Sequence, residues 1–566
     1  MASKTILKLI ISLAISTLLV VTSFFLWGTP KTNQKIFAAV VPHHDLVKKE
    51  RDGFFVNLAK ITNPKTVVVV SSNHFDAGDY NILSSSKIWQ ISSGEVYPDN
   101  EKIDKLVMGN SIHEDDLAFE REHGIFNLLA ALRENFNSAK IIPIILKDKT
   151  NEDEIINLNE ALIEVCRDEC LMVSSIDFSH YLPGALAEIH DNLSLRVLNN
   201  LDKDLVKRTE IDSIPAISLL VEFVKNNQAQ EFVLSKHLNS GQIEYSPDGE
   251  STSYVLGYFQ KGTPQLKDSF SFMIGGDVML GRQVDYTFKN NLNLLWSNIS
   301  DRFFNGVDLS LVNLEGPISQ TPTNPDKNDQ SLVFNLPPES ASFLKNIKIN
   351  AVSLANNHVF NQGWSGFENT RDVLNKNNIA PIGVQSGIEA QSIKRFQAGK
   401  QKVSVITLNL TNSEVDLATQ IKAEKARNSR VIIYAHWGNE YEKTHSEAQS
   451  KYAHAWIDAG ADLVVGTHPH VVQDAEIYKN RPIFYSLGNL IFDQQFSEEV
   501  KDGLVIAGFF EEDNLKIALV PVYNNNLKPE ISTGSRKFNI IYKIKNPMNM
   551  YTNWSYGYDI IDFELK

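Results

Sequence analysis

Cysteine is almost absent from this chain of 566 residues, which has only Cys166 and Cys170. Two thiols cannot build the network of crosslinks that stabilises small secreted domains, so the fold must depend on hydrophobic cores. In the segment VCRDEC the two residues either pair outside the cytoplasm or remain as separate buried thiols. The segment offers too few further ligands for a zinc site.

Basic residues are also in deficit, with 54 Lys and Arg against 68 Asp and Glu and a formal net charge of −14. Nucleic acid is excluded as the main partner, because a phosphate backbone attracts a surplus of Lys and Arg and the chain has no long basic run. With 43% hydrophobic and 22% charged residues, the composition is that of an ordinary globular protein. The length is sufficient for several domains.

Charge is missing altogether from Leu9 to Trp27, LIISLAISTLLVVTSFFLW, which follows Lys4 and Lys8. This run approaches the length that spans a bilayer and exceeds most signal-peptide cores. No small-x-small cleavage motif follows immediately, so an uncleaved anchor is favoured over a removed signal peptide. We therefore expect residues 1–35 to form a membrane anchor and linker. The rest of the chain is expected at the cell membrane, outside the cytoplasm.

Short apolar runs that end in polar residues recur along the chain and predict buried strands. Helical patterns lie between several of them, which indicates an α/β fold whose ligands bind at the carboxyl ends of the strands. The runs are Lys35 to Asp45, Lys65 to Asp76, Cys170 to His180, Phe270 to Arg282, Val307 to Pro317, Asn350 to Gly363, Arg430 to Glu440, Ala461 to Val472 and Arg481 to Phe492.

A closing strand, Ser251 to Gln260, and a polar connector, Lys261 to Ser269, divide these runs into two sets. The sequence thus predicts two layered α/β domains, residues 36–262 and 263–566, behind the anchor. The second domain has a core at about residues 269–522. After Phe492 the segments GLVIAGFFEE, LKIALVPVY and FNIIYKIK predict an antiparallel β annex without intervening helices.

In the second domain, polar groups at the ends of the predicted strands form one set of candidate metal ligands. Carboxylate, amide oxygen and imidazole suit Mn, Fe or Zn, and so many groups suffice for two ions close together. In GTHPHVV the two histidines are expected on the same side of an extended segment, which Pro469 stiffens. The candidates are Asp277, Glu315, Asn357, His358, His436, His468 and His470.

The segments GGDVMLGR, NLEGP, LANNHVFNQG, AHWGNEYE, GADLVVGTHPHVVQ and FYSLGNLIF resemble the CapA family of capsule and poly-γ-glutamate biosynthesis. Its fold is similar to that of calcineurin-like metallophosphoesterases. The resemblance implies that Asp277 binds a first metal, Glu315 bridges two metals and Asn357 binds the second. It implies further ligands at His436, His468 and His470, and a leaving-group acid or phosphoryl clamp at His358.

The sequence departs from the metallophosphoesterase pattern at several positions. Met279 stands where the pattern has a histidine, Asn361 where it has an aspartate, and Glu315 where it has a shorter bridging acid. Arg282 either holds an anionic substrate group bidentately or forms a salt bridge. The Met279 and Asn361 replacements favour a polymer-binding or export component as the alternative to a phosphoesterase-like hydrolase.

In the first domain, VPHHD, SSNHFD, EREHGI and SSIDFSHY resemble the Memo-like family, also called AmmeMemoRadiSam system protein B. That family is related in fold to extradiol-type non-haem iron dioxygenases. The resemblance implies a pocket lined by His43, His74 and His180, with Glu122 and His123 beside them. Three imidazoles can hold one Fe, Cu or Zn with open positions, so the pocket is either an oxidoreductase site or a non-catalytic one.

Together these patterns predict an extracytoplasmic, membrane-anchored protein of capsule or envelope-polymer biosynthesis. It is expected to carry a two-metal phosphoesterase-like site and a Memo-like metal pocket. The expected partners are the membrane, an anionic envelope polymer or phosphoester substrate, and polymer synthases.

Overall fold

The computed structural model describes residues 35–246, 248–289, 291–318, 332–411, 414–548 and 560–565. The predicted membrane segment, Leu9 to Trp27, lies outside the described residues. Among the helices of the described ranges, none is long and apolar enough to cross a bilayer.

The N-terminal domain is built on a mixed sheet with helices on both faces. Parallel strands form its centre in the spatial order Ile36–Val41, Cys170–Ser175, Thr66–Ser72 and Lys140–Leu146. Alternate residues enter opposite cores, since Val68 and Val70 belong to one buried cluster and Val67 and Val69 to the other. These strands therefore consist of continuous apolar runs, as the sequence predicted.

Flanking elements complete this domain. The outer strands are Glu231–Asn239, Glu250–Gln260, His180–Pro183, Ile82–Ser84 and His113–Glu114, with a separate hairpin of Trp89–Ile91 and Gly94–Val96. The α-helices are Lys48–Leu58, Asn100–Met108, His123–Asn135, Glu152–Cys166, Gly184–Asn200, Lys203–Val206, Ile214–Asn226 and Ser240–Ile243, and the 3-10 helices are Asp45–Val47 and Asp116–Phe119. Cys166 and Cys170 form a disulfide, which selects one of the two alternatives left open by the sequence.

The C-terminal domain is a sandwich of two sheets that share a buried apolar core. Phe272 and Ile274 of one sheet and Ile432 and Val465 of the other belong to that core. The first sheet has the order Ala380–Ile382, Ala351–Ser353, Leu309–Leu314, Ser269–Val278, Asp502–Glu511, Asn514–Asn525 and Lys528–Ile531, with Asn489–Ile491 and Ile560–Glu564 paired beside it. The second has the order Ile393–Ala398, Gln401–Asn409, Arg430–His436, Leu463–Thr467, Arg481–Phe484 and Ala475–Tyr478.

Helices cover the outer faces of the sandwich, except that Ile540, Ile541 and Ile544 of the helix Gly534–Met548 pack into the core that the two sheets share. The α-helices are Arg282–Phe288, Ser340–Asn346, Gly363–Lys376, Ala418–Lys425, Glu447–Ala459, Glu498–Lys501 and Gly534–Met548, and the 3-10 helices are Leu292–Trp296 and Ala390–Ser392. The layered α/β class expected for both domains is confirmed.

The predicted β annex is wrong in one segment and differs in its placement. FNIIYKIK lies in the helix Gly534–Met548, because Ile540, Ile541 and Ile544 recur at helical spacing and are buried while Phe538 is exposed. The strands Asp502–Glu511 and Asn514–Asn525 extend the first sheet and do not form a separate layer.

The helix Gly184–Asn200 joins the two domains. Leu186 and Ile189 of this helix share a buried cluster with Met273 and Phe303 of the C-terminal domain. On the same helix, Arg196 donates two hydrogen bonds of 2.8 and 2.7 Å to the Asp308 carboxylate, and both side chains are at least 93% buried, with exposed fractions of 2% and 7%. The two domains are therefore held together by a shared buried core and a buried ion pair, and not by the connector alone.

We expect Arg196→Ala to lower the free energy of unfolding by about 3–5 kcal/mol, because the substitution removes the two hydrogen bonds and the closer charge from the buried Asp308 and leaves it Arg208 at 3.8 Å. Urea denaturation measures this loss. Lys105→Ala is the control, because Lys105 pairs with Glu101 on the surface and its loss should change stability by less than about 1 kcal/mol. Equal shifts for the two variants would contradict the interpretation of the domain contact.

Candidate metal centres

The candidate ligands of the C-terminal domain follow parallel strands of both sheets. Asp277 lies near the end of Ser269–Val278, and His436 is the last residue of Arg430–His436. The remaining candidates lie just beyond the ends of three other strands. These are Glu315, Asn357, His358, His468 and His470. The strand ends converge where the edges of the two sheets meet.

Measured distances show that the predicted ligands come together. His470 Nδ1 is 3.4 Å from Asp277 Oδ2, and His470 Nε2 is 3.6 Å from Glu315 Oε1. His436 Nε2 lies 2.9 Å from Asn357 Oδ1, and the ring centroids of His436 and His468 are 4.7 Å apart. Two groups suited to hold a cation share His470: Asp277, Glu315 and His470, and Glu440, His468 and His470.

The chemistry of the donor atoms fits a bound cation. Glu315 is fully buried, yet neither carboxylate oxygen has a hydrogen-bond partner among the described residues. Nδ1 of His468 is also buried and unpartnered within those ranges. A buried carboxylate without donors is strongly disfavoured unless a counter-charge lies beside it, so divalent ions at this position would satisfy these atoms.

Burial and neighbouring charges shift the pKa values in this site in opposite directions. Burial, together with the nearby Asp277, raises the pKa of Glu315 to about 8. Burial alone would lower the pKa of His470, but the carboxylates of Glu315 and Asp277 raise it to about 9. Burial lowers the pKa of His436 well below its usual value and that of His468 to about 4. His436 and His468 are thus neutral near pH 7, which is the metal-binding form.

The two histidines of the HPH segment converge, but the expected extended segment is wrong. His468 and His470 have φ values of 95° and 57°, which are unusual for residues other than glycine. The chain bends directly after the strand Leu463–Thr467, so both rings turn toward the acids. Such strained backbone is maintained only where surrounding contacts fix it, and here His468 N donates to Asp277 Oδ2 at 3.2 Å.

Residues that sequence reasoning did not select orient the predicted ligands. Asn313 Nδ2 donates to Asp277 Oδ1 at 2.7 Å, and Asn489 Oδ1 lies 3.0 Å from His470 Nδ1. Thr467 Oγ1 lies 3.0 Å from His436 Nδ1. Such outer contacts fix the ring orientation of ligand histidines. Glu440, a further possible ligand, was also missed, although it lies in the motif AHWGNEYE.

The close approach of two strands at Asp277 requires glycine. A Cβ on Gly276 would lie 1.9 Å from the carbonyl oxygen of Gly488. Without that side chain, the strand Asn489–Ile491 pairs beside Asp277 and brings Asn489 to the site.

His358 faces the site from a constrained position. Its Nε2 is 3.8 Å from Glu315 Oε1, its Nδ1 is 2.9 Å from Asn361 Oδ1, and its ring stacks on Phe334 at 4.0 Å. Asn361 therefore orients the ring in place of the aspartate of the metallophosphoesterase pattern. Met279, at the position of the missing histidine, is buried in the apolar core.

Arg282 forms the salt bridge that was one of its two predicted alternatives. Its Nε donates to Asp493 Oδ2 at 3.0 Å, a second guanidinium nitrogen bonds Oδ1, and the group lies over the rings of Phe334 and Phe492. The Asp493 carboxylate thus compensates the Arg282 charge next to the site.

The N-terminal pocket lies at the carboxyl ends of its central strands. His43, His74 and His123 each offer a ring nitrogen within 4.8 Å of the others. His43 and His74 follow the strands Ile36–Val41 and Thr66–Ser72, and His123 begins the helix His123–Asn135.

His180 is not part of this histidine group, although the resemblance implied that it was. The chain runs from the strand Cys170–Ser175 into a new strand, His180–Pro183. Burial lowers the pKa of His180 and the nearby Asp212 and Asp177 raise it, so His180 borders the same pocket. His123 takes the adjacent position because Glu122 caps its helix, with Oε1 accepting from Gly124 N at 3.0 Å. The buried Nδ1 of His180 has no hydrogen-bond partner among the described residues. Its role as a ligand stays a prediction.

Carboxylates surround the N-terminal histidines. His74 Nδ1 is 2.6 Å from Glu122 Oε1, and Asp212 Oδ2 lies 3.4 Å from His43 Nε2 and 3.7 Å from His74 Nε2. Burial alone would lower the pKa of His74, but Asp212 and Glu122 raise it to about 10. Burial lowers the pKa of His43 to about 4. Asp212, in the loop before Ile214–Asn226, is a site residue that no sequence motif indicated.

Two other histidines make local contacts. His44 Nδ1 accepts from Leu46 N at 3.2 Å and caps the 3-10 helix Asp45–Val47. His454 pairs with Glu476 at 2.9 Å on the surface.

Comparison with known proteins finds separate relatives for the two halves of the chain. A family model described as "Bacterial capsule synthesis protein PGA_cap" matches residues 271–494, and one described as "Memo-like protein" matches residues 19–258. The PGA biosynthesis protein CapA of Bacillus subtilis is 27% identical over 266 residues, which cover 43% of this chain and 70% of that protein. The capsule biosynthesis protein CapA of Bacillus anthracis is 27% identical over 317 residues, 51% of this chain and 76% of that protein. A MEMO1 family protein of Caldivirga maquilingensis is 25% identical over 223 residues, 37% of this chain and 79% of that protein.

The fold and the two pockets define a two-domain α/β protein with histidine and carboxylate clusters suited to metals. Its N-terminal domain is Memo-like, and its C-terminal domain is a CapA-type domain of the capsule synthesis family. This confirms the resemblance seen in the sequence.

We expect His468→Ala/His470→Ala to remove most of the transition metal from the full chain, because the pair contributes to both ligand groups of the C-terminal site. Elemental analysis of the protein purified in detergent measures the loss. His454→Ala, at a surface histidine, is the control and should retain the metal. Equal metal content in the double variant and the wild type would contradict the assignment.

In the N-terminal pocket we expect His123→Ala to lose more metal than His180→Ala, because the His123 ring is 4.2 Å from His74 and 5.1 Å from His43. Both substitutions are made in the His468→Ala/His470→Ala background, so that only this pocket is measured. Greater loss from His180→Ala would restore the ligand set implied by the family resemblance.

Proposed function

We propose that this protein acts in capsule or envelope-polymer biosynthesis and that its C-terminal domain hydrolyses a phosphoester with the help of two divalent ions. The observation that carries the proposal is the buried Glu315 carboxylate, unpartnered among the described residues and flanked by His470 and His358. Mn, Fe or Zn bound at such a site lowers the pKa of water and neutralises charge on phosphoryl oxygens.

Residues of the chain would hold the ions and protonate the leaving group. Asp277, Glu315 and His470 on one side and His436 and Asn357 on the other would hold the ions, with His468 and Glu440 beside them. In the proposed reaction, doubly protonated His358 passes its Nε2 proton to the leaving oxygen, while the Nδ1 proton stays in the hydrogen bond to Asn361 Oδ1; a proton from solvent then restores Nε2.

A second candidate function is polymer binding without hydrolysis. Met279 favours it, because this side chain lies in the apolar core and leaves one position of the metallophosphoesterase pattern without an imidazole. The N-terminal pocket is proposed to bind a single Fe, Cu or Zn through His43, His74 and His123.

We further propose that both domains lie outside the cytoplasm and are attached to the membrane through Leu9 to Trp27. The uncharged sequence of that segment supports this, and so does the Cys166–Cys170 disulfide, since disulfides persist in oxidising compartments. Recovery of the full chain in the soluble fraction of disrupted cells would contradict the anchor.

With Mn(II) and bis(p-nitrophenyl) phosphate, we expect His358→Ala to lower kcat by about 10²–10⁴-fold, the usual contribution of general acid–base catalysis. Release of p-nitrophenol measures turnover. His454→Ala should be unaffected. Wild-type turnover no higher than that of His358→Ala would reject the hydrolase in favour of the polymer-binding function.

A further inference from the structure

Two exposed aromatic rings stand beside the C-terminal metal site and take no part in the ligand set. Tyr441 is 41% exposed, and its ring centroid lies 6.3 Å from that of His470. Phe496 is 66% exposed and meets Tyr441 edge to face at 5.2 Å. Large exposed rings next to a polar site leave apolar surface in water that a ligand can cover.

The same segments that hold the ligands also hold this pair in position. Tyr441 N donates to the carbonyl of Pro469 at 2.8 Å, and Pro469 lies between the two ligand histidines. The Tyr441 hydroxyl accepts from Gln494 Nε2 at 3.2 Å, and Gln494 Oε1 accepts from Asn489 Nδ2 at 3.1 Å. Because Asn489 also contacts His470, the Tyr441 ring has a fixed place relative to the metal ligands.

Tyr441 also adopts a backbone conformation that disfavours a bulky side chain. Its φ is 66°, in the left-handed region that glycine and asparagine prefer. Strain of this kind persists at sites where the position of the side chain is used.

The charges at this mouth do not favour a polyanion. Glu440 and Glu442 are exposed on either side of Tyr441. The neighbouring cations are compensated, Arg282 by Asp493 and Lys443 by Glu499. A polymer with a carboxylate on every unit would meet the like charge of these two glutamates here.

We propose that Tyr441 and Phe496 form a stacking platform for a ring carried by the substrate, so that the site takes a ring-bearing phosphoester and not a bare polyanionic chain. The inference rests on the proposed phosphoester chemistry and names the substrate class. The phosphoryl group would face the ligand histidines, and the ring would cover Phe496 and the exposed part of Tyr441.

Binding of phosphonates, which cannot be hydrolysed, tests this directly. In calorimetry with the full chain and Mn(II), we expect phenylphosphonate and cyclohexylphosphonate to bind about ten-fold more tightly than methylphosphonate, as one ring-stacking contact provides. The two ring probes distinguish a planar ring from a saturated, sugar-like one. Equal affinities for all three would overturn the proposal.

Phe496→Ala should remove the ten-fold preference for ring probes and leave methylphosphonate binding unchanged, whereas Phe496→Trp should retain the preference. Phe538→Ala is the matched control, because Phe538 is also 66% exposed and lies against Tyr542 on the helix Gly534–Met548. A ring preference that survives Phe496→Ala would overturn the proposal. A dimer that Phe496→Ala dissolves would assign the rings to a second copy of the chain and would also overturn it.

The failure of this proposal and that of the hydrolase can be told apart. Preferential binding of ring phosphonates without any turnover would reject hydrolysis and keep the platform. Turnover of phosphoesters without a ring preference in binding would keep the hydrolase and reject the platform.

Discussion

The C-terminal site depends on burying acidic groups beyond the ends of parallel strands, where two sheets meet. Asp277 and Glu315 are both fully buried, and of the two, only Asp277 receives hydrogen bonds from the described residues. Protons compensate part of this charge, as the raised pKa values of Glu315 and His470 indicate. A divalent ion would replace those protons, so metal binding at this site is coupled to proton release. The HPH turn, the Gly276 contact and the Asn489 strand all bring donors to this one point.

The two domains are linked by more than a connector. The helix Gly184–Asn200 belongs to the N-terminal domain but packs on the first sheet of the C-terminal domain, and Arg196 binds Asp308 there. Glu210 lies two residues before the site residue Asp212 of the N-terminal pocket. Its carboxylate accepts a hydrogen bond from Asn305 of the other domain. A shift between the domains would therefore act on the strand that carries Asp277 and on the loop that carries Asp212. This arrangement places both pockets within one packed framework.

The departures from the metallophosphoesterase pattern have local compensations. Asn361 still orients His358, because an amide oxygen accepts the ring N–H as a carboxylate would, and it also accepts from Phe334 N at 2.7 Å. Met279 fills apolar space, so no imidazole stands at the position where the pattern has a histidine. Glu440 supplies a carboxylate from a different loop. The candidate ligand set is thus related to the family pattern without reproducing it.

The sequence by itself determined the buried strands and the polar groups that follow them, because apolar runs and strand ends are local properties. It also indicated both domain families, since their motifs are short and contiguous. The tertiary structure alone decided which groups meet: His123 joins His43 and His74, and Asp212 and Glu440 enter from loops. It also decided that FNIIYKIK is helical and that the HPH segment bends. These outcomes depend on contacts between distant segments, which the spacing of neighbouring residues does not encode.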